Sequence, residues 1–256
     1  MTQPTSFAPQ DSLAGRVAVI AGGTGAIGLA TARRLAALGA RCVLLHRGDS
    51  ARARALLAEL PGAGHAEVTA SITDSGTLRA AAEQVRAQFG TCHILVNSAG
   101  TTRPVPAGDL EALTDELIDD ILRVNFRGVF ATIRAFAPLL KESGDGLIVT
   151  VSSIAGFTGV GSNLAYVAAK AGVDIVGDAL AKALAPQVRV LSVSPGVVES
   201  TFVPGRGADF NAKTAATTPL GRIGSPDDIA AAIQACATTL RFATGTRLVV
   251  DGGRHL

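Results

Sequence analysis

The chain has 256 residues, 48% of them apolar and 17% charged, with a formal net charge of +2. That composition supports a sizeable packed core and excludes a disordered chain, and a near-neutral balance without a long basic run gives no footing for nucleic acid or an anionic membrane. No apolar stretch approaches the roughly eighteen residues that a membrane span needs. Residues 1–14 read as a polar, proline-containing tail without the apolar segment of a signal peptide, so a cytoplasmic protein is expected, with residues 15–256 as a single domain.

After the tail, short apolar runs alternate with longer stretches of three-to-four-residue apolar spacing. Strands are expected at Val17–Ile20, Arg41–Leu45, Ala66–Ala70, Ile94–Asn97, Leu147–Val151, Val188–Val193 and Arg247–Val250. Helices are expected at Ala26–Leu38, Thr77–Phe89, Leu110–Leu140, Leu164–Ala185 and Pro226–Cys236. β-Branched runs without polar alternation fit strands covered on both faces. Strand and helix in alternation predict an α/β fold, a single Rossmann-like, doubly wound parallel sheet of about seven strands flanked by helices. The least regular stretch, Thr201–Pro219, reads as a lid. Cys42, Cys92 and Cys236 are far apart and form no Cys-x-x-Cys; Cys42 and Cys92 read as buried reduced thiols, and no metal is expected.

Val17–Ile20 runs into Ala21-Gly22-Gly23-Thr24-Gly25-Ala26-Ile27-Gly28 and then a helix rich in Ala and Leu. Strand, glycine turn and helix N-terminus in that order let backbone N–H groups and the positive end of the helix dipole face phosphates. Gly22 suits a tight turn, Gly25 a close backbone approach to a pyrophosphate, and Gly28 close packing of the helix. The alternative is a glycine-rich turn with no ligand.

The only tyrosine of the chain opens a Tyr-x-x-x-Lys. Tyr166 and Lys170 therefore share one helix face. An ammonium beside a phenol favours phenolate, which is expected to lower the phenol pKa from its usual value of about 10 and to make proton exchange feasible near neutrality. Ser153 stands thirteen residues before Tyr166, just past an expected strand, and its hydroxyl can donate to a substrate oxygen. The alternative for Tyr166 is a half-buried helix tyrosine that happens to precede a lysine.

From about Arg16 to the C-terminus, these segments resemble the short-chain dehydrogenase/reductase family. The glycine turn is a variant of the compact branch's Thr-Gly-x-x-x-Gly-x-Gly, with Ala21 for the threonine and Ala26 for the middle glycine. The spacing of Gly22, Gly25 and Gly28 is instead that of a longer, sugar-nucleotide-modifying branch, whose extra substrate domain this chain is too short to hold. The resemblance implies a nicotinamide dinucleotide held at Gly22, Thr24, Gly25, Ala26, Ile27 and Gly28. NAD-dependent members place an acid at the end of the second strand; here His46 fills that position and Arg47 follows it. A guanidinium there suits a 2′-phosphate, so NADP(H) is preferred and NAD(H) is the alternative, with Asp49 nearby. Ser71 and Ile72 stand where relatives have Asp-Val and imply contacts near the adenine. Asn97-Ser98-Ala99-Gly100 resembles Asn-Asn-Ala-Gly, which implies cofactor contacts from Asn97, Ala99 and Gly100. Pro195-Gly196 resembles a Pro-Gly turn, with Val198 at the carboxamide and Ser200 or Thr201 at the phosphates. Leu191 replaces an asparagine of the late strand.

The catalytic group implied by the resemblance is Ser153, Tyr166, Lys170 and Asn125. Tyr166 and Lys170 also contact the cofactor, and Asn125 bends a helix and holds a water leading to Lys170. The expected activity is hydride transfer between nicotinamide and a ketone or secondary alcohol. The alternatives are a non-catalytic sensor or regulator that binds the dinucleotide, and an isomerase or epimerase. Phe202, Val203, Arg206 and Phe210 are expected on the lid, and Ile154, Phe157, Leu164 and Val197 in an apolar wall. Arg206 can bind an acidic substrate group, although a lone loop arginine is more often solvated. Pro219–Gly224 and Val249–Gly253 match segments that relatives use to pair subunits, which implies a homo-oligomer, a tetramer.

Overall fold

Val17–Ala21, buried at every position, form the first strand (β1) in the computed structural model, which describes residues 12–256. Most of the expected N-terminal tail lies outside the described residues. The elements that follow are α1 (Ala26–Ala37), β2 (Arg41–His46), α2 (Ser50–Ala58), β3 (Ala66–Thr69), α3 (Ser75–Phe89) and β4 (Ile94–Asn97). Then come α4 (Asp115–Leu122), a π-helical segment at Arg123–Gly128, α5 (Val129–Glu142), β5 (Gly146–Val151) and a short α6 (Ala155–Thr158). The chain closes with α7 (Leu164–Leu184), β6 (Val188–Pro195), α8 (Ala208–Ala216), α9 (Pro226–Ala237) and β7 (Thr246–Val250).

All seven strands are parallel, in the order β3-β2-β1-β4-β5-β6-β7. β1 has β2 on one side and β4 on the other, with Ala21 level with both Leu45 and Asn97. The winding reverses there, and the crevice beyond the carboxyl ends of such strands is where open α/β sheets bind ligands. Alternate residues of β1 feed opposite layers. Val17, Val19 and Ala21 pack toward α3, α5 and α7, and Ala18 and Ile20 toward α1 and α9. Both faces are covered, which is why the strands read as unbroken apolar runs. None of the described helices is long and apolar enough to cross a membrane.

The observed strands end within two residues of expectation, and the differences lie in the helices. α2 was not expected because its nine residues bury only Ala53. The single helix expected over Leu110–Leu140 starts at Asp115, where the Thr114 side chain accepts from Leu117 N, and is interrupted by the π turn. α8 forms inside the stretch expected to be irregular, again with one buried residue, Thr214. The three cysteines are free and buried, and burial pushes the Cys42 and Cys92 thiols up to about 12. They are core residues rather than reactive ones.

Candidate active site

The expected site residues lie just past the carboxyl ends of β1 to β6, in the π turn and in α7. Gly22 has φ +77°, and a Cβ there would come within 2.7 Å of Ala99 N, so glycine alone lets the β1 turn pass the β4 loop. A Cβ on Gly28 would run into the Gly22 carbonyl oxygen, so Gly28 brings α1 against the turn itself. Gly25 caps α1 without a side-chain hydrogen bond, and Gly25 and Ala26 are exposed. The first N–H groups of α1 thus have no side-chain cap, with Thr24 and Ile27 half-buried beside them.

At the end of β2, the buried His46 places Nε2 2.8 Å from Glu67 Oε2. Sequence reasoning missed this carboxylate, because Glu67 reaches the position from β3. Arg47 is exposed and has no ionic partner among the described residues. Asp49, the acid nearest to it in sequence, accepts from Arg52 N at 2.9 Å as the cap of α2. The Ser71 hydroxyl lies 2.9 Å from Thr73 Oγ1, and Ile72 packs against Gly128 of the π turn. Asn97 ends β4; its Nδ2 donates to Thr150 Oγ1 at 3.4 Å, and its Oδ1 is buried without a partner. Gly100 lies against the Asn125 side chain.

Asn125 is fully buried in the π turn. Its Nδ2 donates to Thr101 O (2.8 Å) and Ile121 O (2.9 Å), and its Oδ1 accepts from Thr101 N (3.2 Å). The π turn lies at Asn125, and its amide ties the loop after β4 to α4.

Tyr166 is set by the start of α7. Asn163 Oδ1 accepts from Tyr166 N at 2.7 Å, and Asn163 Nδ2 donates to Arg103 O at 2.8 Å. That cap fixes the first turn on the neighbouring loop. Tyr166 and Lys170 are both buried, and Lys170 Nζ donates to Val151 O at 2.8 Å while lying 5.5 Å from the centre of the phenol ring. Ser153 follows β5, half-buried beside the Tyr166 phenol, and its Oγ accepts from Ala155 N at 3.1 Å. One turn beyond Lys170, Asp174 is 2% exposed, and its Oδ2 lies 3.0 Å from Arg247 Nε of β7. The Ser152 hydroxyl donates to Lys170 O at 3.4 Å.

On the other flank, Pro195 ends β6 and its carbonyl accepts from Ile154 N at 3.0 Å. Gly196 packs on Asp251, and Val198 bridges to Gly224. The Ser200 hydroxyl donates to Val198 O at 3.5 Å and accepts from Phe202 N at 3.4 Å. The Phe202 ring is centred 6.1 Å from that of Tyr166. Phe157, expected in the apolar wall, is instead taken up by His255 at 5.7 Å and Arg247 at 5.6 Å.

The family described as enoyl-(acyl carrier protein) reductase matches residues 22–255. Cis-4-hydroxycyclohexanecarboxylate dehydrogenase of Sinomonas cyclohexanicum is 35% identical, over 95% of this chain and 98% of that protein. The 3-oxoacyl-(acyl-carrier-protein) reductase of Escherichia coli is 32% identical, over 94% and 98%. A crystal structure of a dehydrogenase/reductase from Sinorhizobium meliloti superposes with a TM-score of 0.87 at 32% identity, covering 96% of this chain and 98% of the other. A glucose/ribitol-type short-chain dehydrogenase/reductase of Brucella melitensis gives 0.87 at 30%, covering 95% and 98%. The chain belongs to the short-chain dehydrogenase/reductase family. Like its relatives, it is an oxidoreductase that works with a nicotinamide cofactor.

The ionisation of this dehydrogenase/reductase's buried pair departs from expectation. Burial pushes the Tyr166 phenol up to about 12, against the opposing pull of the nearby Ser153 hydroxyl and the charge of Arg206. The lowering expected from Lys170 does not appear: the ammonium is turned to Val151 O, and desolvation sets the direction of the shift. Burial likewise brings Lys170 down to about 8, opposed by the charge of Asp174. Asp174 and Arg247 are site residues that sequence reasoning did not single out. Asp174, four after Lys170, was visible in the helix period, whereas Arg247 meets it only through the β6–β7 pairing.

Proposed function

We propose that this enzyme interconverts a ketone and a secondary alcohol, prefers NADP(H), and uses Tyr166 as its general acid and base. The observation that carries this is a buried Tyr166 phenol with Ser153 at the end of β5 beside it and Lys170 Nζ 5.5 Å from the ring centre. A bound nicotinamide would supply hydride to the carbonyl carbon, or accept it in the reverse direction. The uncapped start of α1, the tight passage at Gly22 and the unpartnered Asn97 Oδ1 fit a dinucleotide, with Gly22, Thr24, Gly25, Ala26, Ile27 and Gly28 around its phosphates. Arg47, free of any carboxylate among the described residues, supports the choice of NADP(H), with His46 beside it.

Ser153 and Tyr166 hold the substrate oxygen between two hydroxyls. A phenol pushed up to about 12 stays protonated at neutral pH and is ready to give its proton to that oxygen during reduction. The Lys170 ammonium then stabilises the phenolate that remains. In oxidation the same proton returns to Tyr166. The relatives are named for a hydroxycyclohexanecarboxylate and a 3-oxoacyl group, which supports a small-molecule carbonyl or alcohol as substrate. We also assign residues 15–256 to one domain, and the enzyme to the cytoplasm as a homotetramer.

The test is a 340 nm screen of ketones and secondary alcohols with NADPH and NADH. Tyr166→Phe is expected to lower kcat by roughly 100- to 10,000-fold while dinucleotide binding persists; turnover close to wild type rules the assignment out. Arg47→Ala is expected to lower kcat/KM for NADPH by about tenfold and to leave NADH unchanged. Binding of the dinucleotide without turnover of any carbonyl would return the sensor alternative.

A further inference from the structure

Arg206 lies in the irregular stretch between β6 and α8, four residues after the Phe202 that meets the Tyr166 ring. Its guanidinium is half-buried and sits 4.5 Å from the centre of the Phe210 ring, in the first turn of α8. Stacking on an aromatic face fixes the plane of the fork and strips water from one side of it. Among the described residues no carboxylate pairs with Arg206 and no carbonyl accepts from it. By contrast, the half-buried Arg16, Arg34, Arg86 and Arg247 meet carboxylates, and Arg189 meets three backbone carbonyls.

The surroundings add positive charge rather than cancel it. Arg254, bonded to Thr217 Oγ1 at 3.1 Å at the end of α8, repels Arg206 across the lid. Lys170 Nζ lies 5.5 Å from the centre of the Tyr166 ring. A guanidinium does not shed its proton in a protein, so a partly buried one without a counter-ion is a standing cost until an anion arrives. The stretch that carries Arg206 lies against the Tyr166 ring through Phe202, and the guanidinium and the phenol act on each other electrostatically.

We propose that Arg206 binds a carboxylate of the substrate, so that the enzyme acts on keto acids and hydroxy acids whose reacting carbon sits at Tyr166. This rests on the oxidoreductase assignment of the same pocket. A single planar fork matches a carboxylate in bidentate fashion, and Arg254 is already committed to threonine oxygens, so a phosphate dianion would lack a second donor.

The experiment measures binding first and turnover second. Titration calorimetry of the NADP-loaded enzyme compares cyclohexanecarboxylate with cyclohexanecarboxamide, which share a shape and differ in charge. The acid is expected to bind about 10- to 100-fold more tightly. Arg206→Gln should abolish that difference, and Arg206→Lys should keep part of it, with melting curves showing that both variants stay folded. Equal binding of acid and amide, no binding of either, or a preference that survives in Arg206→Gln overturns the proposal. In the second arm, kcat/KM is compared for 4-oxocyclohexanecarboxylate and its methyl ester. Equal turnover of the two refutes the carboxylate site and leaves the oxidoreductase assignment standing. An acid preference in binding with no turnover of any ketone does the reverse.

Discussion

Burial governs the Tyr166–Lys170 pair more strongly than the charge each presents to the other. Both groups lie under the sheet edge, and both are pushed toward their neutral forms, the phenol up and the amine down to about 8. The one charge that works against this on Lys170 is Asp174, a buried carboxylate one turn along α7, itself 3.0 Å from Arg247 of β7. The sign follows directly. Because the ammonium is the form that stabilises phenolate, kcat/KM for ketone reduction should fall as pH rises through about 8. Asp174→Asn removes the opposing charge, so the alkaline limb should move to lower pH. The expected loss is roughly threefold to tenfold at pH 8, with activity near pH 6 within about twofold of wild type. A limb that stays in place while Tm drops would make Asp174 a purely structural partner of Arg247. At this scale the sequence was informative about identity and less so about environment. Ser153, Tyr166 and Lys170 meet as their spacing implied, but the direction of the phenol's shift depends on burial, which no spacing encodes.

At the scale of elements, legibility followed how much apolar surface each one buries. The seven strands were readable because both faces are covered and their residues are apolar without interruption. α2 and α8 were not, since each buries a single residue and carries no strong helical stripe. The π turn around Asn125 was foreseen only as a bend; its hydrogen bonds to Thr101 belong to a loop far away in sequence. The junction of β1 and α1 separates fold from function in a testable way. Gly28 is hemmed in by the Gly22 carbonyl, whereas a Cβ on Gly25 would meet only Gly22 O, at 3.3 Å. Gly28→Ala should therefore destabilise the protein by about 1 to 3 kcal/mol in urea denaturation. Gly25→Ala should cost only a few tenths of a kcal/mol as a cap yet, on the proposed phosphate site, weaken dinucleotide binding at least tenfold, because its methyl group would stand in the way of the phosphates. Equal loss of stability in both variants would show that the turn is structural throughout.

At the scale of the whole molecule, the reversal of winding between β1 and β4 gathers residues from five strand ends into one crevice, so that Gly22, Asn97, Ser153 and Pro195 become neighbours although they are spread over most of the chain. The same winding leaves β7 as an edge strand, and edges are normally covered. Around the Gly252-Gly253 turn that follows β7, Leu220 is 70% exposed and Leu256 96%, with Val249 of β7 also outward. Apolar side chains clustered beside an open edge fit a second copy of the chain better than they fit water. For the proposed tetramer, light scattering at micromolar concentration should give a mass four times that of the chain, and Leu220→Asp combined with Leu256→Asp should lower it to a dimer or a monomer. Neither residue touches the Tyr166 pocket, so the smaller form should keep its dinucleotide affinity. A monomeric wild-type protein would refute the tetramer, and a tetramer that persists in the double variant would place the contact elsewhere on the molecule.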